Sequence, residues 1–438
     1  MRIDARFLAY EILNQFNNKI KLDKLFEKTF IKYDPDSRAR ARTVAIINDI
    51  IRLIGRIDFM IKKVSGKGNH QITKSILSIL RIGFYEIYLD GLVPDYAAVD
   101  SAVELAKKKS NRRSAGFVNA VLRKFIRKKN NDKNWFNSLS NDPEWNSMPM
   151  WIQDRWKKNL GSKGLIEMLE SVNKSPPNFV RIQDQEDSLE EVIEYLLDEG
   201  IEAEIFSKSF LKIKGGTAKV LQTKMFKNGG ISIQNPASAG VVNCLDVRPG
   251  DIVVDVCAAP GTKSLYLSSL VGDSGRVFAY DMIKERVEMG MADLERHGKT
   301  NIQWEVKNAT KDDFTMTDRM LIDAPCTGTG VLGRKPDIRW RRKKSDIQEM
   351  SNKQYEILNH CSKFINPNGI IVYATCSIEP EENWDVVDRF LNFNTSFCLD
   401  DIHSMVPKSW IDKKGALRTL PYMHGVDGMF AVRLKRSL

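Results

Sequence analysis

Six cysteines, at 244, 257, 326, 361, 376 and 398, are too few to staple a chain of 438 residues with disulfides. No two of them form a CxxC pair, which argues against a thiolate zinc centre, and no metal is expected. Long apolar runs are also missing: the quietest stretch, 364–378, still contains Asn, Pro and Thr. The opening residues MRIDARFLAYEIL carry charge from the second position and lack the apolar core of a secretory signal. These absences lead to the expectation of a soluble, cytoplasmic protein with reduced thiols, no membrane contact and no obligate protein partner.

The composition that remains is globular, with 42% hydrophobic and 28% charged residues, and 438 residues exceed one ordinary domain. The net charge of +11 is unevenly distributed. Residues 1–140 hold 28 Lys/Arg against 14 Asp/Glu, whereas the remainder holds 39 against 42. A basic module joined to a near-neutral body suits a polyanionic partner, because neutralised phosphates drive nucleic-acid affinity.

Three domains are expected: 1–135, 136–228 and 229–438. The first reads as helices, with Ala5, Leu8, Ala9, Ile12, Leu13 and Phe16 at helical spacing, followed by Ile47, Ile50, Ile51 and Ile54. Val118, Val121, Leu122, Phe125 and Ile126 line another helix. Its opposite face shows Arg123, Lys124, Arg127 and Lys128, continuing the charge of Lys107, Lys108, Lys109, Arg112 and Arg113. The stretch PDYAAVDSAVELAKKKSNRRSAGFVNAVLRK resembles the C-terminal helices of the NusB family, an all-α fold, and this resemblance implies RNA contact. The polar residues 130–146 read as a linker. A strand at 179–182, a helix at 188–200 and a hairpin at 203–214 make a small α+β subdomain.

From Gly250 onward strands alternate with helices, as in a doubly wound α/β domain. Strands are expected at Ile252–Val256, Arg276–Asp281, Ile302–Val306, 320–323, 370–375 and 429–434. Their carboxyl ends read DVCAAPGTK, AYD, VKN, DAPCTGTG and YATCS, five polar or turn clusters at one sheet edge. Asp281 lies 20 residues beyond Gly261, the spacing of a ribose-binding carboxylate. The first turn has a single glycine and no GxGxxG, which disfavours a dinucleotide and suits a nucleoside such as S-adenosylmethionine. Cys326 and Cys376 follow neighbouring strands and are expected in one pocket; Cys244, Cys361 and Cys398 read as small hydrophobes.

DVCAAPGTK, DAPCTGTGVLGRKPDIRW and YATCSIEPEEN together resemble three motifs of the Sun-type RNA 5-methylcytosine methyltransferases. The resemblance implies a Rossmann-like catalytic domain, S-adenosylmethionine as donor and small-subunit (16S) ribosomal RNA as partner. It also implies a cofactor loop at Cys257, Ala258, Ala259, Pro260, Gly261, Thr262 and Lys263. Asp281 is implied at the ribose, Asn308 at the adenine edge and Asp323 between cofactor and target base. Cys376 is implied as nucleophile and Cys326 as second catalytic cysteine. Three departures from the family stand out: GTKS replaces GGKT, and Asn308 and Asn235 stand for aspartates. Weaker cofactor binding is therefore expected, with Asn308 accepting from the adenine amino group.

The chemistry needs these residue types. Carbon 5 of cytosine is a poor nucleophile until a thiolate adds at carbon 6, so Cys376 must ionise in a cationic setting that Lys263 supplies. Asp323 stabilises the ring edge, and Cys326 serves removal of the carbon 5 proton. A splayed-out base suits single-stranded or loop RNA. Four alternatives stand beside this reading, of which amino-group methylation would more naturally show an aromatic residue after a Pro-Pro, and DAPC has none. Transfer RNA would take the same chemistry, and DNA would use Cys326 as nucleophile. A non-catalytic RNA-binding assembly factor needs none of Lys263, Asp323, Cys326 and Cys376.

Overall fold

The computed structural model describes residues 4–183 and 188–437. The chain divides into two compact units, Met1–Ser175 together with Leu332–Arg341, and Pro176–Val331 together with Arg342–Leu438.

The first unit is helical. Side-chain caps start several of its helices: Asp4 accepts from Phe7 N at 2.8 Å, Asp36 from Ala39 N at 2.7 Å and Asn111 from Ser114 N at 2.9 Å. Left-handed Gly66 (φ 72°) ends helix Ile54–Ser65. Ile46, Ile47, Ile50 and Ile51 from Ser37–Arg52 meet Val118, Val121, Leu122 and Phe125 from Arg112–Asn131 in one core. The expected linker at 130–146 is instead ordered helix and turn, comprising Lys133–Ser138, Leu139–Asn141 and Pro143–Asn146. Its polar composition hid three aromatics, Trp135, Phe136 and Trp145, which pack on one another and on Tyr88. Helix Met150–Val172 follows, and 136–175 groups with the helices rather than with the α+β part.

In the second unit, β1 (Asn178–Ile182), β2 (Ala203–Ser207), β3 (Phe210–Ile213) and β4 (Ile231–Ile233) form an antiparallel sheet of order β2-β3-β1-β4. Helix Leu189–Asp198 covers it, started by a Ser188–Glu191 capping box. The larger sheet contains β5 (Ile252–Val256), β6 (Arg276–Asp281), β7 (Ile302–Val306), β8 (Thr317–Asp323), β9 (Ile365–Thr375), β10 (Phe397–Asp400), β11 (Leu417–Arg418) and β12 (Phe430–Arg436). Its order is β10-β12-β9-β8-β5-β6-β7, with β11 paired to β12. Strands β5 to β9 run parallel; β10 to β12 pair antiparallel. From β5 the chain winds first toward β6 and β7 and then back through β8 and β9. The reversal at β5/β8 opens a crevice at the carboxyl ends of these strands.

Candidate active site

The residues that end β5, β6, β8 and β9 meet around this crevice. After Val256 the chain turns through Cys257 (φ 62°) and a cis Ala259–Pro260 bond to Gly261, which begins helix Thr262–Val271. Gly261 has φ 111°, and a Cβ there would stand 2.8 Å from the Trp304 ring. Thr262 is the first helical residue, and positive φ falls on Gly261 beside it. The departure from GGKT thus costs no backbone strain, because the position has no need of glycine. The turn is tied to β6 by Ala258 N to Tyr280 O at 2.9 Å and Ala259 N to Asp281 Oδ2 at 3.3 Å.

Asp281 is buried at the end of β6. Its Oδ1 accepts from Ile283 N at 3.0 Å, and Arg286 Nη1 stands 3.1 Å from Oδ2. Arg286 also donates to the Ala259 carbonyl, bridging strand end and turn. A carboxylate offers about four acceptor positions, and Ile283 N, Ala259 N and Arg286 take up three of those of Asp281. Asn308 follows β7. Its Oδ1 accepts from Thr310 N at 3.0 Å and Thr310 Oγ1 at 2.8 Å, while Asp312 Oδ2 accepts from its backbone N–H at 2.7 Å. The oxygen expected to meet the adenine amino group is thus engaged, leaving the Nδ2 amide as a donor. Asn235, the third departure, caps helix Pro236–Asn243 through Ala237 N at 3.0 Å, which an asparagine does as well as an aspartate.

Lys263 and Asp323 pair across the crevice at 2.7 Å, Nζ to Oδ2. Burial opposes the ammonium, but Asp323, Asp255 and Cys376 outweigh it and hold the Lys263 pKa above its ordinary value. Asp255, beneath them in β5, accepts from Ser264 Oγ at 2.6 Å, and burial pushes its carboxyl up to about 7.

Asp323 and Ala374 are register partners in β8 and β9, so the two following loops leave the sheet side by side. Ala324 N donates to Ala374 O at 2.9 Å and Gly330 N to Cys376 O at 3.0 Å. This seam brings Cys326 Sγ to 3.1 Å from Cys376 Sγ. The hydrogen bond with Cys376, together with burial and nearby Glu382 and Asp323, raises the Cys326 pKa far above that of an ordinary thiol. Cys326 therefore keeps its proton, and the two sulfurs lie within hydrogen-bond distance, with either able to donate. Cys257 is likewise a thiol, raised by burial. Cys244 and Cys361 are buried; Cys398 is exposed, contrary to its reading as a small hydrophobe, because it lies at the sheet margin in β10.

Lys263, Asp323, Cys326 and Cys376 thus gather at one edge, with the 257–263 turn and Asp281 beside them. Sequence reasoning missed Arg286, five residues after Asp281. It also missed Glu382, whose motif EPEEN was noticed without a role for that carboxylate. Among the described residues no cluster of three or more His, Cys, Asp or Glu could hold a metal ion, and no helix is long and apolar enough to cross a membrane.

Comparison with known proteins gives three consecutive matches. Residues 3–127 match the NusB family, 148–216 the Methyltr_RsmF/B-like ferredoxin-like domain and 242–435 the 16S rRNA methyltransferase RsmB/F. The chain is 28% identical to the "Probable ribosomal RNA small subunit methyltransferase B" of Bacillus subtilis, covering 100% of this chain and 99% of that protein. It is also 28% identical to the ribosomal RNA small subunit methyltransferase B of Pasteurella multocida, covering 92% and 91%. Among solved structures, PH0851 superposes with a TM-score of 0.79 at 28% identity over the whole of both chains. Helical unit, small antiparallel sheet and catalytic sheet correspond in order to these matches, and it is the catalytic sheet, within residues 242–435, that matches the 16S rRNA methyltransferase RsmB/F family.

Proposed function

We propose that the chain methylates carbon 5 of a cytosine in small-subunit ribosomal RNA, with Cys376 as nucleophile. The observation that carries this reading is the pair of sulfurs 3.1 Å apart beside the Lys263–Asp323 ion pair. The Cys326 thiol is held protonated, and Lys263 interacts electrostatically with both Asp323 and Cys376, which places a cation beside the proposed nucleophile.

S-adenosylmethionine supplies the methyl group when bound. The 257–263 turn and Asp281 would hold it, with Asn308 donating from Nδ2 to an adenine ring nitrogen. The chemistry then runs on the chain's own groups. Cys376 thiolate forms a bond to carbon 6 while the ring takes a proton from Cys326, giving an enamine whose carbon 5 is nucleophilic. Asp323, fixed by Lys263 through Oδ2, keeps an oxygen for the protonated ring edge. Once carbon 5 carries the methyl group, the Cys326 thiolate removes its proton. The carbon 6–sulfur bond breaks, Cys376 leaves as thiolate, and the ring proton passes to solvent. Both cysteines end as they began. A high Cys326 pKa suits both of its steps, since the thiol holds its proton at rest and the thiolate recovers one readily.

Mapping bisulfite-resistant cytosines in ribosomal RNA with and without the gene tests the assignment. One small-subunit cytosine should lose protection in the deletion strain and regain it with the wild-type gene. Unchanged ribosomal RNA, or a lost mark in transfer RNA, would overturn it.

A further inference from the structure

We propose that Glu382 is a positioning residue that holds the loops of Cys326 and Cys376 in register. The proposal rests on the cysteine reading of the site and deepens it. Glu382 is 0% exposed and belongs to the turn Pro380–Glu382. Its Oε2 accepts from Thr327 N at 2.8 Å and Gln354 Nε2 at 3.0 Å. Its Oε1 accepts from Ser377 Oγ at 2.6 Å and from Thr327 Oγ1. Thr327 directly follows Cys326, and Ser377 directly follows Cys376. One carboxylate therefore receives the neighbour of each cysteine.

The same loops are held from other sides, leaving few ways for either to shift alone. Gln354, the third donor to Glu382, also donates to Pro325 O at 2.9 Å, so both neighbours of Cys326 are tied to one network. Arg342 holds the Cys326 and Thr327 carbonyls at 2.9 and 3.0 Å. On the other loop, Asn383 Nδ2 donates to Ser377 O at 3.0 Å. The Tyr373 hydroxyl donates to the Glu382 carbonyl at 2.7 Å. Burying a carboxylate is costly unless its oxygens are satisfied, and here four donors converge on it. Burial still raises its pKa, against those donors. None of these hydrogen bonds involves the 257–263 turn or Asp281, so the network aligns the sulfurs without holding the cofactor loop. Its charge also disfavours a thiolate on Cys326, whose thiol faces Cys376, Asp323 and Tyr373 as well as Glu382.

The probe is disulfide formation between Cys326 and Cys376 driven by diamide in the full-length protein, mapped by mass spectrometry. Two thiols lose two protons and two electrons, and the diazene takes them as it becomes the hydrazine. This rate reports sulfur alignment whether or not the protein methylates cytosine, so failure of the cysteine chemistry and failure of the positioning claim are distinguishable. Glu382→Ala should slow the Cys326–Cys376 crosslink at least tenfold and lower kcat at least tenfold, with S-adenosylmethionine affinity and RNA KM within about threefold of wild type. Glu382→Gln, which keeps one acceptor oxygen and an amide the hydroxyls can meet, should recover a substantial part of both rates. Should Glu382→Ala fail to fold, Ser377→Ala removes the Ser377 bond and Thr327→Val the Thr327 hydroxyl bond while its N–H stays on Glu382; each should slow the crosslink, Ser377→Ala severalfold, with the melting temperature retained. A folded Glu382→Ala protein, or folded single-arm variants, crosslinking at the wild-type rate would overturn the proposal. So would equal losses of cofactor binding and turnover in Glu382→Gln.

Discussion

Arg286 lies across Asp281, its Nη1 3.1 Å from the carboxylate Oδ2 that also accepts from the Ala259 amide. The carboxylate proposed for the ribose is thus already buried and oriented, and the partly exposed Arg286 covers one of its oxygens. Hydrogen bonds to a charged acceptor contribute about 1.5–3 kcal/mol. Asp281→Ala is therefore expected to weaken S-adenosylmethionine binding roughly ten- to a hundredfold by calorimetry. Asn308→Ala should weaken it less, since a neutral amide donates there. Arg286→Ala, which uncovers Oδ2, should change affinity by no more than about twofold.

The basic helical surface divides into charges with partners inside the fold and charges facing water. Lys109 is paired with Glu11 at 2.7 Å and lies over Phe7 and Tyr10, and Lys107 is paired with Glu104 at 2.6 Å. Lys108, Arg112, Arg113 and Arg127 are exposed. Replacing these four with glutamine should weaken RNA binding and flatten its salt dependence, by about 0.7 in log–log slope for each phosphate of single-stranded RNA that is no longer neutralised. Cofactor affinity should not change. Point substitutions test this better than deleting the helices, because Trp340 Nε1 donates to Ile51 O at 2.8 Å and Arg339 to Arg52 O at 3.1 Å within the same unit. An unchanged salt slope would remove these residues from the RNA surface.

Asp255 gives the fold a pH signature. Its carboxyl is raised from 3.8 to about 7, chiefly by burial. The native chain keeps this proton at pH values where the unfolded chain has released it. This contribution to stability is full at low pH and is lost as pH rises from about 4 to about 7. Asp255→Asn keeps an acceptor for Ser264 and removes the titration. Its urea midpoint should vary less than that of wild type between about pH 5 and pH 8, and should exceed wild type at the upper end.

Gly330 and Gly428 allow the second close approach at the site. A Cβ on Gly330 would lie 2.1 Å from the Gly428 carbonyl oxygen and 2.9 Å from that of Cys376, and both obstacles are backbone. Gly330→Ala should destabilise the protein by about 1–3 kcal/mol, as overpacking does. It should also reduce methylation while retaining cofactor binding, read from thermal melts and turnover together.

Much of this was legible in the residues. Strands β5, β6 and β7 fall at the residues expected, because each is a short apolar run closed by a turn or carboxylate. Helical periodicity and the split in charge marked the basic unit. The misreadings arose where composition and packing disagree. Residues 130–146 are polar by count yet carry Trp135, Phe136 and Trp145 into a core. Strands β10 and β11 are short edge elements that alternation does not mark. At the site, Cys326 and Cys376 could be placed together by strand order alone. The roles of Arg286 and the engaged oxygen of Asn308 depend on rotamers, which spacing does not encode.

The central claim is that Cys376 makes the bond to the base and Cys326 serves its release. Denaturing electrophoresis of each cysteine-to-alanine variant, incubated with ribosomal RNA and S-adenosylmethionine, reads this directly. Water can supply the ring proton when Cys326 is missing, but removal of the carbon 5 proton needs a positioned base. Cys326→Ala should therefore accumulate a protein–RNA adduct that S-adenosylmethionine strengthens, and Cys376→Ala should give neither adduct nor methylated RNA. An adduct from Cys376→Ala with none from Cys326→Ala would contradict the account, making Cys326 the nucleophile.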